Sequence, residues 1–120
     1  MNRWVLLEHK VFVGDLLDIH YDFLLEDDKN CLTWKFFEIP ALNRGFIEIV
    51  KQPKHRLIWL NREEHKLSRD RGLVKRIDYG TFIKVAFKFN FQEIKLILNG
   101  QLLNGVFEIS GNLCRLTKNN

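Results

Sequence analysis

Over most of this chain apolar and polar residues alternate with a period of two, the signature of strands that bury one face. The segment DIHYDFLLED (18–27) sends Ile19, Tyr21, Phe23 and Leu25 one way and His20, Asp22, Leu24 and Glu26 the other. Thr81–Phe89 sets Ile83, Val85, Phe87 and Phe89 against Lys84, Ala86 and Lys88. Shorter runs predict further strands at Trp4–Glu8, Leu32–Glu38, Phe46–Val50, Arg56–Leu60, Leu73–Asp78, Ile94–Leu98, Val106–Ser110 and Leu113–Leu116. Asn99-Gly100 and Asn104-Gly105 predict hairpin turns, since a type I′ turn needs positive φ at both central positions. No window carries a 3.6-residue apolar stripe over three turns, and only 61–71 leaves room for a short helix. With no repeat and no Pro/Gly/Ser linker, the pattern predicts one domain over 1–120. Its class is all-β: a small closed or partly open β-barrel of about eight antiparallel strands with a groove.

The outward face of the 18–27 strand carries chemistry as well as pattern. Residues i and i+2 of a strand share a face with Cβ atoms about 6.5–7 Å apart. His20 and Asp22 can therefore converge on one cation held about 2.0–2.2 Å from each ligand atom. One His-x-Asp pair is a weak signal, equally met by a surface hydrogen bond, and a metal needs a third ligand. His9, which ends the first predicted strand, is the best placed. Imidazole and carboxylate together suit manganese, zinc or iron better than calcium.

Charge sharpens that picture. Residues 8–28 hold seven acids against Lys10, a balance of −6, and residues 51–76 hold nine bases against three acids, a balance of +6. An acidic segment suits a divalent cation and a basic one suits phosphates, so Lys54, Arg62, Arg69, Arg71, Lys75 and Arg76 are nucleic-acid-binding candidates. Two solvated faces that neutralise each other are the plainer alternative. No apolar run approaches the ~18–20 residues of a membrane span. The N-terminus lacks a signal-peptide apolar region, which predicts a cytoplasmic protein. Cys31 and Cys114 have no CxxC spacing and read as two reduced, buried thiols. His65 reads as a surface residue, Glu63 and Glu64 as a solvated turn, and Trp34 and Trp59 as core aromatics with a secondary reading as base-stacking groups.

The order VLLEH (5–9), IHYDFLLED (19–27), LTW (32–34), PKHRLIWL (53–60), RGLVKRIDYGTF (71–82) and LILNGQLLNGVFEI (96–109) resembles the 3′-phosphoesterase domain associated with DNA ligase D. It is most similar to the compact stand-alone branch, described as DNA polymerase ligase N-terminal-domain-like. The resemblance covers nearly the whole chain. It implies a β-barrel that uses a divalent metal, typically manganese, to remove a 3′-phosphate or 3′-ribonucleotide from nucleic-acid ends during DNA repair. It implies His9, His20 and Asp22 as metal ligands and His55 as the residue that holds the scissile phosphate, with Arg56 beside it. Implied partners are DNA or primer-template 3′ ends and a ligase or other repair protein, with the chain itself a monomer and no membrane.

Three departures stand against the family pattern. Ten residues separate His9 from His20 where the better-known branch has five, which predicts an inserted bulge or loop in Lys10–Ile19. Strict spacing would instead select Gly14, which has no side chain to ligate with. The family's H-x-D-x-R arginine is Leu24 here, and the tyrosine four residues after the phosphate histidine is Trp59. These changes leave open a catalytically degenerate barrel that binds nucleic-acid ends, or a protein partner, without chemistry.

Overall fold

In the computed structural model, which describes residues 2–67 and 72–120, nine strands form one antiparallel sheet. They are β1 (Arg3–Val13), β2 (Leu16–Asp27), β3 (Asn30–Phe36), β4 (Ile47–Arg56), β5 (Glu64–Lys66), β6 (Leu73–Lys88), β7 (Glu93–Asn99), β8 (Asn104–Ser110) and β9 (Leu113–Thr117). Their order is β1-β2-β3-β4-β9-β8-β7-β6-β5, and β1 also pairs with β6, which joins eight strands into a ring and leaves β5 outside it. The expected all-β barrel is therefore present in its partly open form. The opening lies at the β4–β9 seam, where only Ile47↔Cys114 and Glu48↔Leu113 pair. No helix among the described residues is long and apolar enough to cross a membrane.

Inward-facing residues follow the alternation. Trp4, Leu6, Phe23, Leu25, Trp34 and Phe107 belong to the main core, where Phe23 stacks on Phe36 at 5.6 Å. Trp34 is 1% exposed, which removes it as a base-stacking group. The alternation fails at Val5, Leu7 and Leu24, outward residues that are nonetheless buried. With Cys31, Leu60 and Val74 they form a second apolar cluster on the outside of the ring, covered by Leu57, Trp59 and Leu67. This is why WVLL and FLL read as unbroken apolar runs: β1 and β2 are covered on both faces over that stretch, as in fully buried strands. Cys31 and Cys114 are buried and in no disulfide, and burial pushes their thiols up to about 11 and about 12.

Several expected elements are changed. Arg56–Leu60 is not a strand: β4 ends at Arg56 and Leu57–Leu60 is a 3-10 turn, the lid of the second cluster. The segment 61–71 holds the short strand β5 rather than a helix, with 68–71 outside the described residues. The runs 73–78 and 81–89 are one strand, β6, and a bulge between Lys84 and Ala86 breaks its face pattern. Phe82 is consequently buried and Phe87 packs on the core, while Ile83 and Val85 are exposed.

Asp78 explains why neither Asn-Gly dipeptide makes a two-residue turn. It is 4% exposed, and its carboxylate accepts backbone N–H bonds from Tyr79, Gln101, Leu102 and Leu103 at 2.8–3.0 Å. The 100–103 loop winds around that group, and Asn104-Gly105 lies within β8. A Cβ on Gly100 would come within 2.5 Å of both Asp78 Oδ2 and the Trp4 ring, so only glycine fits there. A neutral amide in place of this carboxylate turns an N–H toward N–H donors. Asp78→Asn is expected to cost about 3 kcal/mol or more in urea unfolding; a loss under 1 kcal/mol would show that the loop holds without the charge.

Candidate metal centre

The ten residues between His9 and His20 form no inserted bulge or loop. β1 and β2 pair without a break from Trp4↔Leu25 to Val13↔Leu16, and the register sets His9 directly opposite His20. The connection is the dipeptide Gly14-Asp15, with Gly14 at φ +65°, a conformation that glycine adopts freely at the first position of a two-residue hairpin loop. Gly14 is the turn and His9 is the residue at the site. The longer spacing simply lengthens the hairpin.

His9, His20 and Asp22 share the outer face, with one ligand atom from each lying within 4.8 Å of the others. His9 Nδ1 lies 3.1 Å from His20 Nε2, one ring donating to the other, and His20 Nε2 lies 3.7 Å from Asp22 Oδ1. Ligands at 2.0–2.2 Å in tetrahedral or octahedral geometry stand roughly 3.0–3.5 Å apart, so these spacings suit a first-row divalent ion after small side-chain adjustments. Burial holds the His20 imidazole below its ordinary range; the His9 ring and Lys35 act in the same direction, against Asp22 and Asp18. A lowered value favours the neutral imidazole that coordinates metal.

The other ring nitrogen, His20 Nδ1, is buried without a hydrogen-bond partner, and Asp18 Oδ2 lies 3.9 Å away. Histidine ligands commonly donate this second N–H to a carboxylate, which fixes the tautomer and ring orientation. Asp18, which sequence reasoning passed over, is suited to that role. The signal was available, because Asp18, His20 and Asp22 fall at i, i+2 and i+4 of one strand face.

Beside the triad a cavity of about 90 Å³ is lined by Leu7, His9, Asp22, His55, Trp59 and Val74, among others. The structure thus brings His55 to the triad across three strands. Its Nδ1 donates to the Pro53 carbonyl at 3.1 Å, which leaves Nε2 to receive or bind a ligand. Arg56 is exposed, leads into the 3-10 turn and does not line this cavity; Lys54 is exposed beside it on β4. Arg62 stacks its guanidinium 4.8 Å over the Trp59 ring, and His65, half-buried in β5, meets the same ring edge-on at 5.5 Å. Lys75 and Arg76, with Glu63 and Glu64, line a different groove of about 680 Å³ along β6. There Arg76 stacks on Tyr79 at 4.1 Å and reaches Glu63 at 3.4 Å. Arg69 and Arg71 lie outside the described residues.

Leu24, where the resembling family has arginine, is 0% exposed and belongs to the second cluster. An arginine there would carry a charge beneath Leu60. Leu24→Arg is expected to lower stability by about 3 kcal/mol or more, read as the denaturation midpoint; a wild-type midpoint would mean the position opens easily. Asp18→Asn is expected to weaken manganese binding by about tenfold through the loss of ring orientation, measured by titration on folded protein. Unchanged affinity would remove Asp18 from the site's support. No protein-family model matches this chain and no curated protein matches it, so the reading of the site stands on its geometry.

Proposed function

We propose that this chain is a metal-dependent phosphoesterase that removes a terminal phosphate or ribonucleotide from the 3′ end of a nucleic-acid strand. One observation carries the reading: His9, His20 and Asp22 converge on the outer face, and His55 lines the same cavity. At about 90 Å³ that cavity has room for roughly three waters at about 30 Å³ each, which suits a terminal phosphoryl group rather than a whole nucleotide. A divalent cation, manganese in the resembling family, supplies Lewis-acid polarisation of the phosphoryl group when bound.

The chain's own groups do the rest. His9, His20 and Asp22 bind and orient, and the His9–His20 register holds the ligands on paired strands rather than on loops. His55, fixed through Nδ1–H by the Pro53 carbonyl, presents Nε2 to the cavity, where the protonated ring would donate to a phosphoryl oxygen. Trp59, Leu7 and Val74 keep water from one side of the cavity, which strengthens each charge interaction inside it. Lys35 lies opposite Asp22 across the β2–β3 pairing and is the cation that the register brings beside the triad, a part that Leu24 cannot take.

A second reading is favoured by Leu24, whose burial takes the family's arginine position out of solvent: a barrel that binds nucleic-acid ends without chemistry. One assay separates the two. Purified protein with manganese and a primer-template ending in a 3′-phosphate is expected to release inorganic phosphate, with loss of at least a hundredfold in His20→Ala and after chelation. Release absent at every manganese concentration, together with salt-dependent DNA binding that survives His20→Ala, would sink the enzyme reading and leave the binding one.

A further inference from the structure

The alternation that places Asp22 and His20 on the outer face continues onto the next strand. β3 pairs Lys35 with Asp22 and Phe36 with Tyr21, and Phe37 follows at the bend where the strand ends. Phe36 is fully buried, whereas Phe37 is 54% exposed, and Lys35 Nζ sits 5.4 Å over the Phe37 ring. Across the triad the wall is built alike, with Arg62 stacked on Trp59. From Lys35 on β3 to Val74 on β6, next to Trp59, there are three strand intervals, roughly 14 Å at ~4.8 Å each.

We propose that Phe37 and Lys35 form a stacking subsite for an unpaired nucleotide of a single-stranded nucleic acid, laid across the triad toward Trp59 and Arg62. The occupant follows from the chemistry of the walls. An exposed aromatic ring topped by a cation takes a base on its face and a phosphate at the ammonium, and such pairs recur where single strands bind. Bases inside a duplex already have both faces stacked, so only an unpaired base can use the Phe37 ring. The proposal rests on the end-processing reading for its register over the metal, because it assigns the nucleotide next to the processed end.

The test measures binding with metal chelated, so that it is independent of turnover. A short fluorescent single-stranded oligonucleotide and its duplex are titrated against wild type, Phe37→Ala, Phe37→Trp and Lys35→Ala, each verified as folded by its melting temperature. Expected are single-strand affinity lowered about tenfold by Phe37→Ala, restored by Phe37→Trp and weakened by Lys35→Ala, with duplex affinity little changed. Wild-type failure to bind single strands overturns the proposal, as does equal binding by Phe37→Ala or a parallel loss for duplex. Phosphate release measured alongside keeps the two readings apart. Release with an unaltered KM in Phe37→Ala removes the subsite and retains the enzyme. Phe37-dependent binding without any release removes the enzyme and retains the subsite.

Discussion

Burial of Val5, Leu7 and Leu24 beneath the turn Leu57–Leu60 is the interaction on which the rest of this outer surface depends. A barrel of this size needs only its interior covered, and outward residues of β1 and β2 would ordinarily meet water. Here the chain leaves β4 as a 3-10 turn and folds Leu60 and Trp59 back over the sheet. Burying such side chains is worth about 1.5–3 kcal/mol each, enough to hold a segment with little regular hydrogen bonding of its own. The same fold-back sets Trp59 against the histidines and brings His55 to the cavity edge. Lid and cavity are consequences of one packing event, set beside a His/Asp triad that the β1–β2 register assembles.

The lid stops where the triad begins. Along the outer face of β2 the sequence passes from Leu24, fully covered, through Asp22 and His20, half-covered, to Asp18 at the open end. That gradient gives each group the solvation its chemistry needs. The apolar residue is dry. Burial of His20 favours its neutral imidazole, and the acid that can orient that ring lies exposed at the edge of the site. On β6, the strand paired with β1, Asp78 meets the alternative condition for a buried carboxylate, complete satisfaction by backbone N–H groups. The two acids show why type alone does not mark function: Asp78 has its hydrogen-bonding capacity used within the fold, whereas the Asp22 carboxylate faces the histidines.

What was legible in the sequence was whatever obeys a local period. His20 and Asp22 share a face because strand geometry makes i and i+2 neighbours, and His9 joins them because it lies on the strand before, which runs on past it to Val13. The link between them depended on a turn that no Asn-Gly marks; Gly14-Asp15 is a hairpin loop whose glycine carries the positive φ. The two dipeptides that do look like turns were overruled by Asp78, whose four N–H partners select a longer loop. The 3-10 turn was hidden because LIWL is as apolar as a strand, and its outward packing is a tertiary fact. Lys35 and Phe37 were plain in the sequence as TWKFF, yet only the β2–β3 register sets Lys35 opposite Asp22, with its ammonium over the Phe37 ring.

Leu24 then has a physical rather than an evolutionary account. A side chain at that position cannot both anchor the lid and reach a phosphoryl oxygen, because the first use excludes the water and ligand that the second needs. The chain uses it as an anchor, so in the proposed phosphoesterase positive charge for a phosphate would come from elsewhere on the same face. Register supplies it one strand over, where Lys35 stands opposite Asp22. A lysine there is a single compact charge on a flexible stem, not the two-pronged donor that an arginine fork provides. Such a site can neutralise a phosphate without fixing its rotation. In the proposed reaction orientation would then come from His55, held by the Pro53 carbonyl, and from the contacts proposed for the adjoining nucleotide.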